Sequence, residues 1–83
     1  GYVEDNLKRG IQQELYRRDI KIKIIARLRI EEIEMGFQPE VFPPDTFRIT
    51  DVQLALIDHF VHGIVTMKGF KLIEKYRKNI KNN

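Results

Sequence analysis

The chain has 83 residues and a mass of 9.9 kDa, which is the size of one small domain. It contains no Cys and no Ser, so disulfide scaffolds, zinc–cysteine sites and catalytic Ser or Cys nucleophiles are excluded. With 42% hydrophobic and 33% charged residues, the composition is typical of a soluble globular protein. This length leads us to expect a single domain over residues 1–83. The first residues lack the pattern of a signal peptide, so we expect the protein in the cytoplasm or nucleus.

Charge is distributed unevenly along the chain, although the net charge is only +3. Residues 1–30 carry eight Lys/Arg against four Asp/Glu, and residues 67–83 carry six against one. The middle segment, residues 31–66, carries one Arg against seven acidic residues. This pattern indicates either helix faces that attract one another, within the fold or between copies, or basic ends that meet phosphates.

The first segment has the periodicity of a helix. Its apolar residues recur every fourth position, at Val3, Leu7, Ile11 and Leu15. Asp5 and Arg9, like Glu14 and Arg18, are acid-then-base pairs four residues apart, which favours a helix. The pattern predicts a helix over residues 3–18, weakened by Gly10.

Residues 20–35 carry an ambiguous pattern. Apolar residues alternate with basic ones from Ile20 to Ile30, which is typical of a strand. No second strong strand follows, and the residues from Leu28 to Met35 are good helix formers. We therefore favour a helix, with a β ribbon formed by residues 20–30 of two chains as the alternative. A helix that is apolar all round is buried on several sides, so both possibilities indicate self-association.

A Pro-rich loop follows over residues 36–46, because Pro39, Pro43 and Pro44 prevent a continuing helix. The loop and its flank are too apolar for a free linker. We expect four side chains to hold it against the core, namely Phe37, Val41, Phe42 and Phe47.

The next helix is predicted to begin at Thr50, where Thr50 and Gln53 fit a capping box. Its packing face is predicted to contain Leu54, Ile57, Phe60, Val61, Ile64 and Val65. We predict a break between Gly63 and Gly69, because glycine is common where helices end.

A last helix is predicted to run to about Asn79, with a rotated apolar face formed by Leu72, Ile73, Tyr76 and Ile80. The helix–turn–helix DNA-binding motif fits the two helices poorly, because His59 stands where that motif needs a small residue.

The ligand-type side chains closest together in the sequence are Asp58, His59 and His62. One helix supplies too few ligands for a metal, so we expect no metal site and instead a simple pair of Asp58 and His62, which stand four residues apart. There is no phosphate-binding glycine motif and no paired-carboxylate signature, so we expect neither an enzyme nor a cofactor.

The sequence thus predicts a mainly α fold, a small helical domain of three to four helices with a Pro-rich connecting loop. The predicted function is a small non-enzymatic regulatory binding module, self-associating as a homodimer or homo-oligomer, that contacts nucleic acid through Lys and Arg. The alternative is a protein–protein adaptor or inhibitor without nucleic-acid contact. No membrane contact and no small-molecule substrate are expected. The candidate phosphate contacts are Arg17, Arg18, Lys21, Lys23, Arg27 and Arg29, and separately Lys71, Lys75, Arg77 and Lys78.

Overall fold

The computed structural model describes the backbone of residues 1–81 and the side chains of residues 1–79. This part of the chain forms four helices: α1 (Tyr2–Gln12), α2 (Ile22–Gly36), α3 (Ile49–His62) and α4 (Met67–Lys81). Residues 1–81 contain no strand, only an isolated antiparallel bridge between Tyr16 and Val65. The predicted mainly α fold is confirmed, and the alternative of a β ribbon over residues 20–30 is wrong. The side chain of Ile80 lies outside the described part.

The helix α2 lies between α1 and α3 and packs against both. Its Ala26 is buried in the core with Leu7 of α1 and Phe60 of α3. A helix pairs its own backbone groups, whereas a lone strand would leave them unpaired, so the helical form prevails over the alternating pattern. The expected central position of this segment is confirmed, because α2 has a helix packed on each of two sides. Its outer side is not covered, and Ile24 and Leu28 are exposed there.

The first helix ends at Gln12, six residues before its predicted end. The backbone N–H of Leu15 donates to the carbonyl of Gly10 at 2.8 Å, and that of Glu14 donates to the carbonyl of Ile11 at 3.0 Å. With Glu14 in the left-handed region at φ 62°, these bonds form a Schellman motif. The ring of Tyr16 packs on Gly10, where a β-carbon would overlap it. The predicted helix is therefore confirmed over residues 3–12 and wrong over residues 13–18.

The third helix begins at Ile49 and has no side-chain cap, so the predicted capping box at Thr50 is wrong. Gln53, its expected partner, instead donates from Nε2 to the carbonyl of Ile33 at 3.0 Å. The amide that would reach back to the helix start thus joins α3 to α2. The helix also begins one residue earlier than predicted, with Arg48 at the N-cap position, so Thr50 and Gln53 are out of register for a capping box.

The predicted break between α3 and α4 is confirmed, and Thr66 organises it. Its hydroxyl accepts a hydrogen bond from the N–H of Gly69 at 3.1 Å, which is the N-cap pattern. The same hydroxyl donates to the carbonyl of Glu14 at 2.6 Å, and the Thr66 N–H donates to the carbonyl of Leu15 at 2.9 Å. The turn after α1 and the start of α4 therefore form one junction.

Replacing Thr66 with valine tests this junction. We expect T66V to lower the free energy of unfolding by about 1–2 kcal/mol, because the N-cap and the bond to Glu14 are both lost. T66S is the control, since it keeps the hydroxyl and should retain most of the stability. Urea denaturation followed by circular dichroism measures both variants. Equal stability of T66V and the unmodified protein would contradict the assignment.

The Pro-rich loop packs mainly against itself. The rings of Phe42 and Phe47 meet edge to face with centroids 5.4 Å apart. Phe37 and Val41 are exposed, and the buried core contains none of the four loop side chains. The expectation that they hold the loop against the core is wrong, because turns closed by the carbonyls of Gln38 and Pro43 fold the segment onto itself.

Candidate nucleic-acid interface

Four lysines lie on one side of α4, at positions that succeed one another by three, four and three residues. At 100° per residue this spacing places their side chains within about 80° of the helix circumference. We call this set the lysine face, and it consists of Lys68, Lys71, Lys75 and Lys78. All four are exposed, and Phe70 lines a shallow hollow beside the last three. The face presents several positive charges to solvent at a short spacing.

One carboxylate lies beside the outer part of the lysine face: Glu74 lines the same shallow hollow as Lys71, Lys75 and Lys78. Its Oε1 lies 3.8 Å from Nη1 of Arg77, which is its ion-pair partner among the described side chains. Lys71, Lys75 and Lys78 make no ion pair with a described residue. Lys68 donates to the carbonyl of Gln13 at 3.1 Å, which ties the start of the face to the junction with α1.

Arg77 does not belong to the lysine face. Its guanidinium forms an ion pair with the carboxylate of Asp58 on α3. The predicted pairing of Asp58 and His62 along the helix is confirmed as a contact: Nδ1 of His62 lies 2.7 Å from the backbone carbonyl oxygen of Asp58 and 3.5 Å from its Oδ1. Phe70 meets the His62 ring edge to face, with centroids 5.9 Å apart. These residues link α3 to α4. The guanidinium of Arg77 is therefore engaged by Asp58 and is not available to a phosphate in the way the exposed lysines are.

The basic residues between α1 and the first turn of α2 differ in their contacts. Arg17 donates from Nη2 to the carbonyl of Gly63 at 3.2 Å, and its Nε lies 3.7 Å from a carboxylate oxygen of Asp19. Arg18, Lys21 and Lys23 are exposed. This group therefore keeps three exposed cations, and Arg17 contributes to holding the turn onto the end of α3.

Within α2 itself, the two predicted arginines have different surroundings. Arg27 is exposed and pairs with Glu31 one turn later, at 3.3 Å. Arg29 is half-buried, with its guanidinium 5.8 Å from the centre of the Phe60 ring. Its Nη1 is buried without a hydrogen-bond partner among the described residues. Arg29 therefore packs against the core and does not extend the basic surface.

The structure thus brings together Lys71, Lys75 and Lys78 and separates them from Arg77 and Arg29. It adds Lys68, which the sequence-based prediction missed. The spacing of three and four residues that unites the lysine face is visible in the sequence and identifies Lys68 as its first member.

No known protein family, curated protein or solved structure matches this chain. Within residues 1–81, no helix is both long and apolar enough to cross a membrane.

Proposed function

We propose that this protein is a small non-enzymatic regulatory module that self-associates and contacts nucleic acid through its lysine face. The observation that supports this proposal is the alignment of Lys71, Lys75 and Lys78 on one exposed side of α4, without carboxylate partners in the described part. Their Cα atoms span about 10 Å along the helix axis, since each residue rises 1.5 Å. DNA carries a phosphate every ~3.4 Å per strand, so the face matches a run of phosphates in length.

The expected mode of contact is electrostatic. A lysine ammonium is a compact point charge on a flexible chain, which suits a phosphate oxygen but does not read a base edge by itself. We therefore expect similar affinity for duplexes of different sequence. A protein with this role works where nucleic acid is present, so a cytoplasmic or nuclear location follows from the proposal.

A salt titration of duplex binding tests this function. With a fluorescent 20-base-pair duplex, the logarithm of the binding constant should fall linearly with the logarithm of salt concentration, with a slope of about −2.7 or steeper if three lysines contact phosphates. Fluorescence anisotropy measures the binding constant at each salt concentration. Affinity that stays constant as salt rises would contradict the proposal, as would the absence of binding at low salt.

A protein–protein adaptor is the second candidate, and a separate observation favours it. Large apolar side chains remain exposed around α3 and α4, among them Leu54, Met67, Phe70 and Tyr76. Exposed apolar surface of this kind marks protein interaction sites. If the protein forms a stable oligomer and shows no binding to duplexes at low salt, the adaptor function replaces nucleic-acid binding.

A further inference from the structure

The shallow hollow beside the lysine face contains an aromatic ring. Phe70 lines it together with Lys71, Lys75 and Lys78, and Glu74 supplies its acidic edge. The hollow is open to solvent and has a volume of about 430 Å³. Phe70 is 41% exposed, although a phenyl ring gains free energy when it leaves water. We call this surface the Phe70 hollow, and it places an accessible ring beside three unpaired ammonium groups.

The ring of Phe70 is held in position by its neighbours. Its backbone N–H donates to the carbonyl of Thr66 at 2.9 Å, so the residue lies in the first turn of α4, next to the junction with α1. On one side the ring meets the imidazole of His62 edge to face, with centroids 5.9 Å apart. Because this contact limits its rotation, the ring loses little conformational entropy when a flat ligand stacks on it.

Glu74 is the one group in the Phe70 hollow that does not suit a phosphate. A carboxylate repels phosphate oxygens but accepts hydrogen bonds from N–H groups. Its single 3.8 Å contact with Arg77 leaves acceptor sites for a second partner. Nucleobases carry N–H donors on the edges that pair in a duplex, and these donors are free only in an unpaired strand. A ring, an acceptor and three ammonium groups therefore fit one unpaired nucleotide, with its base on Phe70 and its phosphates on the lysines.

We infer that the lysine face binds single-stranded nucleic acid in preference to duplex, and that Phe70 stacks on an unpaired base. This inference rests on the proposed function, since the lysines supply the phosphate contacts, and it names the form of nucleic acid that the site takes. In a duplex the bases stack on one another, so their faces are closed to Phe70. A basic surface beside an aromatic ring is the arrangement by which proteins bind single strands without reading their sequence.

Electrostatic contact alone would favour the duplex. With three phosphate contacts the slope of binding against salt is about −2.7 for a duplex and about −2.1 for a single strand. Between 1 M and 0.1 M salt this difference amounts to about fourfold in favour of the duplex. One stacked base raises the binding constant by about 5- to 150-fold. Stacking therefore outweighs the electrostatic difference, and a preference for the single strand reports the aromatic ring.

Fluorescence anisotropy with the duplex and with one of its strands tests the inference. We expect the unmodified protein to bind the single strand more tightly at about 0.1 M salt. The ratio of the two affinities should grow as salt rises, because stacking releases no counterions. F70A should lower the affinity for the single strand by about fivefold or more, leave its salt slope unchanged and change the affinity for the duplex by less than about twofold.

Two further variants separate the aromatic ring from apolar volume. F70Y keeps a ring and should retain the preference for the single strand. F70L keeps most of the apolar volume without a ring, so it should behave like F70A. Circular dichroism checks that all three variants keep their helices. Equal losses of single-strand and duplex affinity in F70A and F70L would overturn the inference.

Tryptophan fluorescence gives a direct measurement, because the sequence contains no Trp. The emission of F70W should be quenched by the single strand, as a base stacks on the indole, and not by the duplex at equal occupancy. Y76W is the matched control on α4: Tyr76 is 61% exposed, but it lines a different hollow, with Leu72 and Ile73. Leu54 gives a second control on α3, since it is equally exposed, and its predicted place on the packing face of α3 is wrong. Equal quenching in F70W, Y76W and L54W would overturn the assignment of Phe70.

The same titrations distinguish this inference from the proposed function. If the single strand and the duplex bind equally and both affinities fall with salt, contact through the lysine face stands and stacking on Phe70 is overturned. If neither binds at low salt, the proposed function is overturned and the inference falls with it. Tighter binding of the single strand that F70A abolishes supports both.

Discussion

Replacing Gly69 with valine is expected to lower the free energy of unfolding by about 3 kcal/mol. A β-carbon at position 69 would overlap the carbonyl oxygen of Leu15, and it would also crowd Val65. The obstacle is backbone that Thr66 holds in place, so it cannot move aside as the end of a flexible side chain can. For a domain of this size, whose total stability is of order 4–12 kcal/mol, the loss is a large fraction.

Urea denaturation followed by circular dichroism measures the effect, and Gly63→Ala is its control. A β-carbon at Gly63 would lie 3.3 Å from the carbonyl oxygen of Phe60, its nearest neighbour. The backbone of Gly63 is ordinary, at φ −76° and ψ −15°. We expect G63A to change the stability by less than about 1 kcal/mol. Equal stabilities of G69V and G63A would show that the close approach of α4 to the turn after α1 does not constrain position 69.

The triple variant K71Q/K75Q/K78Q is expected to lose most of the affinity for duplex DNA. Removal of three phosphate contacts should make the slope of binding against salt concentration shallower by about 2.7. This corresponds to about 500-fold weaker binding at 0.1 M salt, if the two proteins bind alike at 1 M. Glutamine is a good helix former, so α4 should persist and the change should report charge alone.

The matched control removes an equal charge from exposed residues just before and at the start of α2, in R18Q/K21Q/K23Q. These residues are also exposed, but nothing places them on the lysine face. We expect this variant to keep a slope close to that of the unmodified protein in the same anisotropy titration. If the two triple variants lose the same affinity, net charge alone governs binding and the lysine face has no special role.

The later part of the second helix and the place where α3 ends show what local sequence can predict. The helix formers from Leu28 to Met35 belong to α2, and the break between Gly63 and Gly69 separates α3 from α4. Both features follow from the backbone preferences of a few neighbouring residues, which act whatever the rest of the chain does.

The end of α1 and the start of α3 show where such reasoning fails. Glu14 occupies the left-handed position after α1, which usually carries Gly or Asn, so the sequence has no signal for the end of the helix. Gln53 has the spacing of a capping residue but bonds to Ile33 on α2. In both cases a contact with another element outweighs a local preference worth about 1 kcal/mol.

In the candidate site, too, some features follow from local sequence and others from tertiary contacts. Periodicity alone places Lys71, Lys75 and Lys78 on one side of a helix, because side-chain direction follows from helix geometry. It cannot show that Arg29 packs over Phe60 or that Arg77 pairs with Asp58, since those partners are 31 and 19 residues away along the chain. Helix content and the alignment of the lysines are therefore determined by local sequence. The exposure of Leu54 and the separation of the arginines from the lysines depend on how the helices pack, because burial and ion pairing are set by neighbours distant in the chain.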